Sequence, residues 1–195
     1  MSSVSARPRP LTLGSVLVVL AAGCASSSGS HTKVHTTSTD PEQRFSMVGS
    51  GLQTTAVISK SGAQGPTINV GRFDDGRTIR GTAEGRPIEL TVTEGRASGS
   101  WASGPINVNV LEEGDQLKMN GLVAGRPSTW TVSGEALQGT IGFCAYDLRR
   151  QGDAYVGSRS CGRGIGQVNV QFPSTIADWD PINIGVLMAL LMATP

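Results

Sequence analysis

The chain is poor in aromatic residues, which make up 5% of its 195 positions, and it holds only two histidines, His31 and His35, both near the N-terminus. Beyond them there is no imidazole to act as a base. That removes serine–histidine and cysteine–histidine triads, and most zinc hydrolases, from the remainder of the sequence. An excess of either charge is also missing, since the formal net charge is +1. No basic face is expected, and nucleic acid is excluded as a partner. Two apolar stretches exist, Leu11 to Ala22 and a C-terminal one of about 11–14 residues, and both fall short of the ~20 residues that a membrane-crossing helix takes. There is no Gly-x-Ser-x-Gly elbow, no His-Glu-x-x-His pair and no phosphate loop, so no cofactor or metal site is expected.

What is present begins with an address. Met1 to Pro10 carries Arg7 and Arg9 and no acid, the apolar run follows, and small residues close the segment. These are the three parts of a secretory leader. Ala21-Ala22-Gly23-Cys24 resembles the lipobox of bacterial lipoproteins, with Leu20 four residues before the cysteine where that family usually has leucine three before. The resemblance covers the first ~25 residues. It implies cleavage before Cys24, diacylglycerol and acylation on that cysteine, and membrane attachment through it. Ala25, rather than Asp, follows the cysteine, which the resemblance ties to the outer membrane. Ordinary secretory cleavage after Gly23 is the alternative. Cysteine parity fits the lipid: of three cysteines, acylation of Cys24 leaves Cys144 and Cys161 as a pair for a disulfide in an oxidising compartment.

The expected organisation is a leader over 1–23, a tether over 24–44 and one β-domain over 45–195. The tether is rich in Ser and Thr and has almost no large apolar residue, so it cannot offset its ordering entropy. His31 and His35 stand four apart within it, but no helix and no third ligand accompany them, and no metal is expected. Loss of Arg7 and Arg9 with the leader turns the formal charge from +1 to −1.

The domain repeats at a spacing of forty. Gly81, Gly85-Arg86-Pro87, Val92 and Gly99 recur as Gly121, Gly125-Arg126-Pro127, Val132 and Gly139. Apolar residues alternate with period two, which marks strands with one buried face. Turns at Asp75-Gly76, Glu94-Gly95, Gly114-Asp115 and Gly134-Glu135 set apolar residues opposite one another on a shared face: Val70 with Gly81, Leu90 with Gly99, Val108 with Gly121, Trp130 with Gly139. A turn at Gly152-Asp153 sets Cys144 opposite Cys161 and Tyr146 opposite Arg159, the geometry for a cross-strand disulfide. About ten or eleven strands are predicted, near 53–60, 66–73, 77–84, 87–93, 96–102, 105–112, 116–123, 127–133, 136–148, 154–161 and 166–172. The fold class is all-β: an antiparallel up-and-down meander, rolled or closed into a barrel.

Asp180-Pro181 is a helix start, and the apolar residues from Ile182 to Leu191 predict a helix or strand that closes one end of the sheet. A membrane-dipping tail or a partner-binding segment are the sharper readings. Trp101 and Trp130 are expected in the core. Carboxylates are the one route left to hydrolysis, yet Asp74-Asp75 and Glu112-Glu113 fall at turns, and Asp178, Asp180 and Asp147 show no cleft. Gly162-Arg163-Gly164-Ile165-Gly166 lies between strands and reads as a turn or bulge. Three functions are consistent with this: a non-enzymatic, lipid-anchored envelope protein that contacts a protein or glycan; a barrel holding a small apolar or sugar ligand; and a carboxylate-dependent glycan hydrolase. The first is expected, and it assigns no catalytic residue.

Overall fold

The structure, a computed structural model, describes residues 43–193 apart from positions 50, 103 and 163. Cys24, His31 and His35, with the leader and most of the tether, lie outside the described residues. Fourteen strands follow in chain order: β1 (Arg44–Gly49), β2 (Leu52–Ser59), β3 (Gly62–Gln64), β4 (Ile68–Phe73), β5 (Thr78–Ala83), β6 (Arg86–Thr93), β7 (Arg96–Trp101), β8 (Gly104–Glu113), β9 (Gln116–Val123), β10 (Arg126–Ser133), β11 (Ala136–Ile141), β12 (Cys144–Gln151), β13 (Ala154–Cys161) and β14 (Ile165–Gln171). A short 3-10 turn (Ser174–Asp178) and helix α1 (Pro181–Met192) follow β14. Every strand pairs antiparallel with its sequence neighbours, and β1 pairs with β14, so the sheet is a closed barrel.

The expected registers are observed. Val70 opposes Gly81, Leu90 opposes Gly99, Val108 opposes Gly121, Trp130 opposes Gly139, and Cys144 opposes Cys161. The strand count is higher than expected for three reasons. β1 carries its inward Phe45 and Met47 directly after the polar tether, where six residues give a weak period-two signal. β3 is three residues long. The stretch 136–148 is two strands, because Gly142 takes a φ of +61° and reverses the chain, its N–H donating to Ser128 Oγ at 2.9 Å.

One glycine on each odd-numbered strand from β3 to β13 explains how a long meander curls shut. Gly62, Gly81, Gly99, Gly121, Gly139 and Gly157 are each so close to a neighbouring strand, the following one for Gly62 and the preceding one for the rest, that a Cβ would lie 1.8–2.2 Å from a main-chain carbonyl oxygen. These glycines let neighbouring strands bend together, the device that curves a sheet toward closure. The forty-residue repeat is the spacing of this device over two hairpins.

The lumen is filled. α1 is apolar on every side, and each residue from Ile182 to Met192 is buried. A helix without a polar face must be surrounded. Successive hairpin turns fall at alternate rims, which places Glu84-Gly85, Ala124-Gly125 and Gly142-Phe143 at a first rim. Asp74–Gly76, Glu94-Gly95 and Gly114-Asp115 lie at a second. Asn183, near the helix start, abuts Gly76, and Ala193, just past its end, abuts Gly142. The helix therefore runs through the barrel from second rim to first, about 18 Å at the usual rise. It packs closest to β8 and β9, where Gly185 lies against Val110 and Met119. Phe45, Phe172 and Tyr155 fill another part of the lumen, with ring centroids 5.3 and 6.0 Å apart. The C-terminal segment thus fills the lumen from within; it does not close one end as a lid. Its side chains face neither lipid nor a partner.

The outer wall is mostly polar, with Val48, Val57 and Leu111 among its exposed apolar residues. Glu89 pairs with Arg80, Arg96 Nε donates to Asn107, and Gln138 donates to Asp147 at 2.7 Å. A lipid-facing barrel turns an apolar band outward. Among the described residues no helix is long and apolar enough to cross a membrane.

Candidate functional site

Of the reactive candidates of the sequence, Asp75, Glu112 and Asp180 line one cavity of about 500 Å³ at the second rim, with Glu94, and the others lie apart from it. Asp74 and Asp75 sit in the β4–β5 turn, and Glu113 is ion-paired with Lys118 across the β8–β9 turn. Asp147 faces outward on β12. Asp178 and Asp180 line different cavities at the second rim, of about 450 and 500 Å³. Among the described residues no three His, Cys, Asp or Glu side chains could jointly hold a metal ion. Trp101 and Trp130 are core residues, as expected, and Trp101 Nε1 donates to the Ala83 carbonyl at 3.1 Å. Asp180 precedes the helix without capping it through its side chain; instead Asn183 Nδ2 donates to Asp180 Oδ2 at 3.4 Å.

At the second rim the Arg72 guanidinium lies over the Trp179 ring, 4.2 Å from its centroid. Burial lowers the Arg72 pKa, against the opposing pull of Asp180. This contact pins the crossover between β14 and α1, because Trp179 is the residue from which the chain turns into the lumen.

The first rim holds the features that a ligand could use. The Cys144–Cys161 disulfide cross-links β12 to β13 there, with Cα atoms 4.2 Å apart. The next inward pair is Tyr146 opposite Arg159. Tyr146 donates its hydroxyl to the Met192 carbonyl, at the last turn of α1, and accepts from Arg159 Nε at 3.0 Å. Helix carbonyls at a C-terminus carry partial negative charge, which a cation offsets. The arginine and tyrosine together complete the end of the helix. Burial raises the Tyr146 pKa, and the nearby Arg159 charge pulls it part of the way back.

Beside this pair opens a cavity of about 860 Å³. Leu52, Phe143, Ile165 and Val168 give it apolar walls, and Arg159 is the charged residue among its described lining. Ile165 is 78% exposed and Phe143 51%, the latter under the Arg126 guanidinium at 4.2 Å. Sequence reasoning placed Arg159 opposite Tyr146 but gave it neither a face nor a role. An arginine on a face otherwise made of Val, Leu, Tyr and Cys was the available signal.

Searches among models of protein families, curated proteins and solved structures return no match for this chain.

Proposed function

We propose that this chain is a lipid-anchored protein of the bacterial cell envelope whose β-barrel is a non-enzymatic structural or interaction module. The observation that carries the reading is the filled lumen: α1 is buried on all sides, so the barrel's interior serves stability and leaves its polar outer wall and its rims for contacts. The anchor rests on the leader and on Cys24, and a disulfide between the two remaining cysteines accords with an oxidising compartment. Diacylglycerol and an acyl chain on Cys24 would hold the barrel at the outer membrane, with residues 25–43 as the spacer. The partner would be an envelope protein or glycan that meets a polar surface of Asn, Gln, Thr and Ser side chains. Storage of a ligand inside the barrel loses ground, because the helix occupies that volume. A glycan hydrolase would have to use the carboxylates Asp75, Glu94, Glu112 and Asp180 that line the second-rim cavity, the first three of which sit at or beside hairpin turns, where a charged residue needs no catalytic explanation.

Mass spectrometry of the mature N-terminus tests the anchor. The expected product begins at Cys24 and carries diacylglycerol, and Cys24→Ser should abolish palmitate labelling and release the protein from the membrane fraction. A mature chain with unmodified Cys24 overturns the anchor.

A further inference from the structure

We infer that the first rim is a docking surface for an anionic phospholipid bilayer, with Phe143 and Ile165 entering the interface and Arg86 and Arg126 meeting the headgroups. Ile165 is 78% exposed and Phe143 51%. With Leu52 they line the cleft beside Tyr146, so the exposed apolar groups converge on one side of the rim. Gly162, Gly164 and Gly166 flank Ile165, and a Cβ on any of them would meet nothing within 4 Å, so the surface around it is open. Arg159 is committed to Tyr146 and, through it, to the end of α1, and takes no part.

Charge separates along the barrel axis. Counting each hairpin turn with the strand residue that follows it, the second rim carries Asp74, Asp75, Glu94, Asp115, Glu135 and Asp153 against Lys60, Arg77 and Arg96, a formal charge of −3. On the same count the first rim carries Glu84 against Arg86 and Arg126 among the described residues, and Arg163 falls between β13 and β14 in the sequence with the same positive sign. Arg86 and Arg126 are exposed, and neither makes an ion pair among the described residues. Arg126 lies over Phe143, so a cation and an exposed ring are presented together. Aromatic rings suit the boundary between headgroups and hydrocarbon. Each basic group near an anionic leaflet strengthens binding about fivefold. An anionic surface therefore attracts the first rim and repels the second. That the occupant is a bilayer rests also on the anchor proposed above, since lipid on Cys24 keeps one within reach. β1 begins at the second rim, where Gln43 shares a cavity with Asp178, so the spacer must pass the length of the barrel. Its 19 residues can extend to about 65 Å, well beyond the ~18 Å of α1. Weak docking suffices, because a tether of this kind supplies an effective concentration in the millimolar range.

The test is flotation of the full mature chain carrying Cys24→Ser, so that any binding is the barrel's own and owes nothing to lipid. The vesicles are phosphatidylcholine alone, or with about one third phosphatidylglycerol, at millimolar lipid and low salt. The chain should float with the anionic vesicles and not with the neutral ones, and added salt should release it. Arg86→Gln combined with Arg126→Gln should lower the partition about twentyfold. Phe143→Ser combined with Ile165→Ser should lower it about tenfold. Asp115→Asn combined with Asp153→Asn, at the opposite rim, should not lower it. All six positions are exposed, and the variants should melt like the parent. Should one fail to fold, the comparison of the two vesicles on the otherwise unaltered chain still decides the matter. No flotation, equal flotation with both vesicles, or undiminished flotation of a folded Phe143→Ser/Ile165→Ser chain would overturn the proposal. So would a stable dimer in sedimentation that this double change dissociates, which would make a second copy the occupant. A mature N-terminus without lipid would remove the anchor and leave the flotation result standing.

Discussion

Replacing Gly121 with alanine separates a glycine that the barrel requires from one that merely suits a turn. Gly121 has a φ of +145°, and its added Cβ would stand 1.8 Å from the Asn107 carbonyl oxygen of β8. Relief requires the two strands to part and the backbone to leave its angle. Backbone strain of this kind costs about 1–3 kcal/mol. Each ladder hydrogen bond lost at the same point adds about 1 kcal/mol. A total of about 3–5 kcal/mol follows, a large share of the ~5–15 kcal/mol that holds a domain folded. Two controls calibrate it. Gly114, in the β8–β9 turn, has a φ of +59° with open space around it, so alanine there meets only the left-handed backbone, about 1–2 kcal/mol. Gly164 has neither constraint, and alanine should change stability by less than about 0.5 kcal/mol. Denaturant titrations followed by tryptophan fluorescence and circular dichroism should rank the variants in that order. If Gly121→Ala unfolds at the same denaturant concentration as the parent, the bent-strand account of closure is wrong.

Other outcomes test the core, the staple and the helix terminus. Leu190→Ala, at a fully surrounded site on α1, should cost about 2–5 kcal/mol, and a chain ending at Asp180 should lose cooperative melting, because the apolar side chains removed are together worth more than the barrel's stability; a sharp transition in the truncated chain would show that the sheet stands without its filler. Reducing the Cys144–Cys161 bond, which joins residues 17 apart, should lower stability by about 3 kcal/mol, read as a shift in denaturant midpoint with and without reductant. Tyr146, whose pKa burial raises, keeps its proton in the folded barrel beyond the pH at which the unfolded chain ionises. Its contribution is therefore complete below pH ~10 and declines as pH rises from there toward the folded value. Tyr146→Phe should flatten that part of the alkaline stability profile, and an unchanged slope would contradict the assignment.

The hairpins were legible because two local rules agree: side chains alternate along a strand, and a two-residue turn fixes which residues oppose. That sufficed to place Cys144 against Cys161 and Tyr146 against Arg159. Closure was not legible, since Ser46 meets Gln171 across 125 positions and no turn joins them. The helix was legible as a helix from Asp180-Pro181, and its site could have been inferred from its lack of any polar face, since a lid would keep one side for water. The cleft is the opposite case. Gly164 and Gly166 look like turn glycines in the sequence, and only the empty space around them distinguishes them from Gly81 or Gly121.

The order of synthesis gives the buried helix a kinetic meaning. The piece that completes the interior leaves a ribosome or a translocation pore only after all fourteen strands, and the first strand must wait for the fourteenth before it has a second neighbour. Until then thirteen strands carry an uncovered greasy surface and two open edges, the condition under which chains stick to one another. Long-range pairing of this sort is slow. A nascent form of this protein therefore keeps that surface exposed for longer than a meander of short hairpins would suggest, and a nonsense mutation anywhere before α1 deprives the whole barrel of its centre.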